Sequence, residues 1–443
     1  MKKISRSSTP VWQYTPEYYD ISKRTLDMGL EEVSAYRTWK HLDPGPSYDI
    51  DSRFAALPAL TKKDIRENFP YGMLPHDCDL DQGIRDGEIT LVKTSGTTDD
   101  RITNIWNQKW WDASEAASWK LNSYMSQIAT GRHNEAILSN PINVGIISDE
   151  VDLPMESRRL ARFLYLNEKT DPVAWTPAIM DRMIQELNTF QPAVLEVNPS
   201  YLARLCRYIN NSHKTVFQPG AIVFTYEYTS RFHVHQIRQV FPNVPMVSSY
   251  GTTETGYVFM QCEKGKLHQN SKYSRVDFQP FQSEHGGPLL GRILVTPLNN
   301  HWSYLLRFDT GDIVQLEDSG KCDCGRNLGL ILSSVNGRRA SLTLTCGGRL
   351  VTLNELDSAL CVLQGIEEYE LVQTDDSVYD LHLVSQRLDK EKLSEDAIRT
   401  LKKLYGQEAK VSITYQAAIA PERSGKYLLS KALFPIELEK YLA

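Results

Sequence analysis

Val244-Pro245-Met246-Val247-Ser248-Ser249-Tyr250-Gly251-Thr252-Thr253-Glu254 is the stretch on which the fold turns. Val244 to Ser248 reads as a short buried strand. It runs straight into small hydroxyl-bearing residues closed by a carboxylate. In open α/β sheets, ligands bind just beyond the carboxyl ends of strands. Tyr250 there offers a ring to stack on a base. Glu254 suits magnesium, which takes one or two carboxylates plus phosphate oxygens. The same residues also fit a capped turn leading into a buried segment.

Upstream, strand and helix alternate. Asn143 to Ile147 reads as a buried strand. Thr176-Pro177 opens a helix, with Thr as N-cap and Pro at the first helical position. Its apolar Ile179, Met180, Met183, Ile184 and Leu187 recur at helical spacing. Ala193 to Val197 is a strand, Ser200 to Tyr208 a helix, Ala221 to Phe224 a strand and Phe232 to Val240 a helix. The alternation predicts an α/β fold with a largely parallel sheet covered on both faces. Further back, Ile89 to Val92 and Ile102 to Trp106 read as paired strands, followed by a helix from about Trp110 to Met125. The first 85 or so residues read as a helical packing layer, with Thr61 as a helix N-cap.

Downstream, the chain turns β-rich through Arg292 to Val295 and Tyr304 to Phe308. A small α+β unit starts near Gly337, with helices at Leu353 to Leu363 and Lys390 to Tyr405 and strands at Glu368 to Gln373 and Leu381 to Val384.

With 443 residues the chain is long enough for two or three domains. Its 41% hydrophobic and 23% charged residues are those of a globular protein, and its net charge of −6 gives no electrostatic case for binding nucleic acid or an anionic membrane. The basic Met1-Lys2-Lys3-Ile4-Ser5-Arg6 start has no apolar run behind it, and no stretch is long and apolar enough for a membrane span. A cytoplasmic address is expected, as monomer or homodimer. The odd count of seven cysteines argues against a disulfide framework.

Three other stretches carry chemistry. Thr94-Ser95-Gly96-Thr97-Thr98, between two strands, is a loop of N–H and O–H donors that can wrap phosphate oxygens or form an ordinary polar turn. In Arg307-Phe308-Asp309-Thr310-Gly311-Asp312, a carboxylate just past a strand can accept both hydroxyls of a ribose. Arg423-Ser424-Gly425-Lys426 puts a lysine on a glycine-containing loop, where its point charge can meet a developing negative phosphate.

The order and spacing of these stretches, with Gly337-Arg338 between the last two, resembles the adenylate-forming superfamily of acyl-CoA synthetases, adenylation domains and luciferases. Length and Cys322-Asp323-Cys324-Gly325-Arg326 make the chain most similar to phenylacetate–CoA ligases. The resemblance covers roughly residues 60 to 431. It implies a large N-terminal domain (1–337), with mixed or parallel sheets and a β-rich part near 258–330, and a small mobile α+β C-terminal domain (338–443). It implies that Thr94 to Thr98 line the ATP phosphates and that Tyr250, Gly251 and Thr252 border the nucleotide, Tyr250 stacking on adenine. Thr253 would sit at the α-phosphate and carboxylate, Glu254 would hold Mg²⁺, and Asp312 would hold the ribose. Arg338 would touch the nucleotide near the hinge, and Lys426 would bridge carboxylate and α-phosphate.

The implied reaction activates a carboxylic acid, aromatic or amino, as its acyl-AMP. The acyl group then passes to CoA, a carrier-protein thiol or an amine, in specialised biosynthesis. Three departures stand out: Asp99-Asp100-Arg101 after the Thr pair, Arg339-Ala340-Ser341 where an acidic pair usually follows the hinge, and Tyr226 before Glu227 where relatives have a small residue. They keep open a second reading, a non-catalytic scaffold of the same fold.

Cys262 with His268, and Cys322 with Cys324, form two pairs from β-rich turns. Together they suit a tetrahedral, structural Zn²⁺ site, and similarity to zinc-bearing relatives strengthens that expectation. His133, His233 and His235 read as surface or satisfied core residues, and Trp110-Trp111 as packing.

Overall fold

The computed structural model describes residues 12–94, 101–422 and 425–443. One mixed twelve-stranded sheet organises it. The order runs Ser274–Pro280, Leu290–Pro297, Phe308–Leu316, Ile331–Arg338, Leu267–Gln269, Gly256–Gln261, Met246–Thr252, Ala221–Phe224, Val194–Val197, Glu135–Leu138, Phe163–Tyr165, Arg159–Leu160. Met246–Thr252 is the seam. It pairs parallel with Ala221–Phe224 through Ser248 and antiparallel with Gly256–Gln261 from Ser249 onward. The sheet is therefore mixed, as the sequence implies, parallel on one side apart from its antiparallel edge strand Arg159–Leu160 and antiparallel on the other.

On the parallel side, alternation sends Ala136, Leu138, Leu195, Val197, Ile222 and Phe224 into a core beneath the helices Pro177–Phe190, Pro199–Asn211 and Arg231–Val240. Each fully buried Val, Leu, Ile or Phe side chain there contributes roughly 1.5–3 kcal/mol. Pro177–Phe190 starts as predicted, with the Thr176 hydroxyl accepting from the Ile179 amide at 3.3 Å. Residues 90–93 and 103–106 form the predicted hairpin, and Thr61 caps Lys62–Asn68 in a reciprocal box with Asp64.

Three local expectations fail. The strand placed at 143–147 lies earlier, at Glu135–Leu138, because Pro141 opens a short 3-10 turn and Gly145 has φ +73°. The helix expected from 110 to 125 is two, Gln108–Trp119 and Ser123–Ala129, with Asn122 capping the second through its side chain. The strand near 304 starts only at Phe308, because Arg307 has φ +53° and gives its amide to the Thr296 hydroxyl at 2.8 Å.

The smaller C-terminal domain has a four-stranded sheet ordered Lys410–Tyr415, Val378–Val384, Glu368–Asp375, Ser430–Ala432. The helices Leu353–Leu360 and Lys390–Tyr405 share its apolar core with Leu371, Leu381 and Leu383. The last residues return to the large sheet. The Gln282 amide donates to the Tyr441 carbonyl at 2.9 Å and the Ala443 amide to the Pro280 carbonyl at 3.0 Å. Leu438 is buried with Phe281, Leu290 and Ile313. Glu439 pairs with Arg292 at 3.1 Å and Arg339 at 3.5 Å. Among the described residues no helix is long and apolar enough to cross a membrane.

Candidate active site

The seam strand and its antiparallel partner close in a tight hairpin, and this presents Thr253 and Glu254 at its tip. Gly251 faces Gly256 so closely that a Cβ at 251 would lie 2.3 Å from the Gly256 carbonyl oxygen. Thr252 and Thr255 hydroxyls bond across the turn at 2.9 Å. Tyr250, just before the turn, gives its hydroxyl to Asp312 at 2.8 Å. Asp312 is the register partner of Arg338 and takes its guanidinium at 3.0 Å. Arg338 also donates to the Thr310 carbonyl at 2.9 Å. Tyr250, Asp312 and Arg338, far apart in sequence, thus form one connected group. Burial first, and then the Asp312 carboxylate, hold the Tyr250 hydroxyl protonated well above its usual range.

Lys426 comes from the other domain. Its loop is a turn in which the Gly425 amide donates to the Glu422 carbonyl at 2.7 Å and the Glu422 amide to the Lys426 carbonyl at 2.8 Å. Two contacts seat this turn on the large domain. Tyr201 donates its hydroxyl to the Gly425 carbonyl at 3.0 Å, and the Tyr427 amide donates to Glu227 at 3.2 Å. Glu227 also accepts the Ser200 amide at 3.0 Å. Burial first, and then Arg338, lower the Lys426 pKa, with Asp312, Glu227 and Glu254 opposing the shift. The ammonium therefore stands among the predicted ribose and magnesium carboxylates.

Most of these groups line a single cleft of about 2220 Å³. Thr94, Tyr250, Gly251, Thr252, Thr253, Glu254, Asp312, Arg338 and Lys426 all contribute to its wall. Thr94 directly follows the first strand of the hairpin, its hydroxyl accepting the Ile102 amide at 3.1 Å. Ser95, Gly96, Thr97 and Thr98, with Asp99 and Asp100, lie outside the described residues. Tyr226 has φ +72° and donates its hydroxyl to Glu196.

The same cleft runs on over Trp111, Glu115, Trp119, His133, Glu135 and Glu196. Sequence reasoning had left Trp111 and His133 to packing or surface and did not single out the three glutamates. One signal was present: Glu196 is a lone charge inside the apolar strand Val194–Val197. The helix position of Glu115 carries no comparable mark.

The four predicted zinc ligands also meet. The Cys262, Cys322 and Cys324 sulfurs and a His268 ring nitrogen all lie within 4.8 Å of one another. Cys262 Sγ is 3.7 Å from Cys322 Sγ, and Cys324 Sγ is 3.3 Å from His268 Nε2. Tetrahedral Zn–S and Zn–N bonds put ligand atoms about 3.3–3.8 Å apart, so the donor set fits zinc. Lys264 and Arg326 amides point at the Cys262 and Cys324 sulfurs at 3.4 Å, as suits thiolates. Burial drives the His268 pKa down to about 4, which keeps the ring neutral.

No protein-family model matches the chain. Protein CapK of Staphylococcus aureus is 24% identical over 246 residues, 55% of this chain and 53% of that protein. The match thus spans about half the length of the curated relative. Among solved structures, 2-hydroxyisobutyryl-CoA ligase in the postadenylation state, in complex with 2-HIB-AMP, has a TM-score of 0.72 at 16% identity and covers 95% of this chain and 90% of its own. The same ligase in the thioesterification state has a TM-score of 0.54 at 17% identity, covering 94% and 89%. The chain has the fold of adenylate-forming acyl-CoA ligases.

Proposed function

We propose that the chain is an ATP-dependent, AMP-forming acid ligase. The observation that carries this is the meeting of Lys426, from the small domain, with Thr253, Glu254 and Asp312, from the large one, and with Arg338 at the boundary between them, in one cleft. Tyr250 borders the adenine, Asp312 accepts the ribose hydroxyls, and Arg338 holds Asp312 in place. Thr94 and the loop after it border the phosphates. Glu254 is the ligand for Mg²⁺, which neutralises phosphate charge when bound. The substrate carboxylate attacks the α-phosphorus in line and pyrophosphate leaves. The nucleophile is already ionised, so positioning and charge neutralisation by Lys426 do most of the work.

The acyl-AMP then passes its acyl group to a thiol, on CoA or a carrier-protein arm, or to an amine, and AMP and a proton are released. The domain boundary lies at 337/338, where Gly337 has φ +101° and a Cβ would meet Ser341 and Leu353 within 2.8 Å. Cys262, His268, Cys322 and Cys324 would hold a structural zinc, which would tie the turn after Gly256–Gln261 to the turn before Ile331–Arg338. Chain length and Cys322-Asp323-Cys324 support a phenylacetate–CoA ligase-like subtype.

ATP–pyrophosphate exchange with Mg²⁺, run against aryl, aliphatic and amino acids singly, tests the reading. Exchange that depends on one class of acid is expected. Folded protein that exchanges with none, and binds no ATP, would overturn it.

A further inference from the structure

Adenylation leaves part of the cleft unused. Paired positions on parallel strands face the same way. Tyr165, Ile137 and Glu196 form one such row, with Glu135 two residues before Ile137 on the same face. The helix Gln108–Trp119 lies over this face and adds Trp111, Glu115 and Trp119 to the wall. Trp106 and Trp111 rings are 4.2 Å apart, and Trp111 is 4.9 Å from Tyr257. The result is an aromatic chamber with carboxylates set into it.

The carboxyls in the chamber are not equally partnered. Glu135 is paired with Arg162 and with His133, both at 2.9 Å. Among the described residues Glu115 and Glu196 form no ion pair. Each accepts one phenol, Glu115 from Tyr257 at 2.7 Å and Glu196 from Tyr226, and among the described residues neither carboxyl has a second hydrogen-bond donor. Burial, and then repulsion from Glu196, push the Glu115 carboxyl up to about 8. Burial outweighs the Tyr226 bond and pushes Glu196 up to about 7. Tyr226 reaches Glu196 from a left-handed backbone, φ +72°, that an aromatic residue adopts only under strain. The phenols orient both carboxyls, and burial makes them costly to ionise, a cost that a cation seated between them would offset. Aromatic faces attract the same kind of group.

We infer that the acid activated in this cleft carries a positively charged amino group, seated at Glu115 and Glu196 against the Trp111 and Tyr257 rings. The inference rests on the adenylation reading, which supplies the site for the ligand's carboxylate at Thr253 and Lys426. It narrows the substrate to amine-bearing acids, and it gives Glu115 and Glu196 a specificity role.

Matched pairs of acids test it, each pair differing by an ammonium in place of a methyl: 6-aminohexanoate with heptanoate, 4-(aminomethyl)benzoate with 4-ethylbenzoate, and phenylalanine with 2-methyl-3-phenylpropanoate. Each is assayed by ATP–pyrophosphate exchange and, without nucleotide, by quenching of the chamber tryptophans. In at least one pair the amine is expected to win by about tenfold or more. That preference should fall to near unity in Glu115→Gln/Glu196→Gln, checked as folded by circular dichroism, and partly in each single variant. Neutral acids that equal or beat their amines in every pair, no binding at all, or a preference that survives the double variant would each overturn the inference. Amine-selective quenching without any exchange would uphold the chamber and sink the adenylation reading. Exchange confined to neutral acids would do the reverse.

Discussion

Gly425 lies so close to Asn140 that a Cβ at position 425 would stand 1.5 Å from the Asn140 amide nitrogen, at a backbone φ of +76°. Neither the contact nor the dihedral admits a side chain. Gly425→Ala is therefore expected to keep its fold and lift the Lys426 turn off Tyr201 and Glu227. Misplacing a catalytic group by about 1 Å costs on the order of a hundredfold, so exchange should fall by at least that factor with Tm nearly unchanged. Exchange at the parent rate would show that the turn does not need this seat.

Lys426→Ala should lower exchange by about 10²–10³-fold, the cost of removing one preorganised charge at the transition state. Because burial and Arg338 lower the Lys426 pKa, the parent enzyme should lose exchange on an alkaline limb below the ordinary lysine range. A pH profile of exchange should show that limb in the parent protein and not in the residual activity of the variant.

Elemental analysis of freshly purified, unchelated protein should find close to one zinc per chain. Cys324→Ser, or prolonged chelation, should remove it and cost about 2 kcal/mol or more of stability, read as a lower Tm. Metal-free protein with an unchanged Tm would leave the four residues as free thiols and an ordinary histidine.

Stability should also depend on pH through the chamber carboxyls. Glu115 and Glu196 have folded-state pKa values of about 8 and about 7, above the unfolded glutamate value. The folded protein then binds more protons than the unfolded one between about pH 4.5 and pH 8, so stability falls as pH rises through that window. Thermal melts of the ligand-free protein should show this decline, and Glu115→Gln/Glu196→Gln should flatten it. A parent slope no steeper than that of the double variant would contradict the burial argument.

Local signals were legible where one segment decides its own structure. The helix Lys390–Tyr405 and the strand Ala221–Phe224 fall at the residues read from the sequence. Tyr250, Asp312, Arg338 and Lys426 each sit in a short stretch with its own pattern, and the structure brings all four to one cleft. The β-rich stretch near 258–330 was legible as strands, but its order in the sheet was not, since the pairing of Leu267–Gln269 with the distant Ile331–Arg338 leaves no mark in either segment. Nor was the chamber. Glu115 comes from a helix and Glu196 from a strand, and only the packing of one over the other gives the pair a meaning. The true strand at Glu135–Leu138 was passed over for the more apolar 143–147, whose Gly145 turn breaks extension.

The returning chain end sets a tempo. Glu439 joins Arg292, on the large sheet, to Arg339, one residue past the proposed hinge. Phe281 and Leu442 are bridged beside it. On the proposed reading, a swing that withdraws Lys426 after adenylation would have to peel this clasp away, and the clasp would then act as a delay between the two half-reactions. The Glu439 carboxylate is largely exposed, at 63%, and ions in solution weaken such pairs. The interval between activation and transfer should therefore shorten as salt rises, a clock that single-turnover kinetics can read.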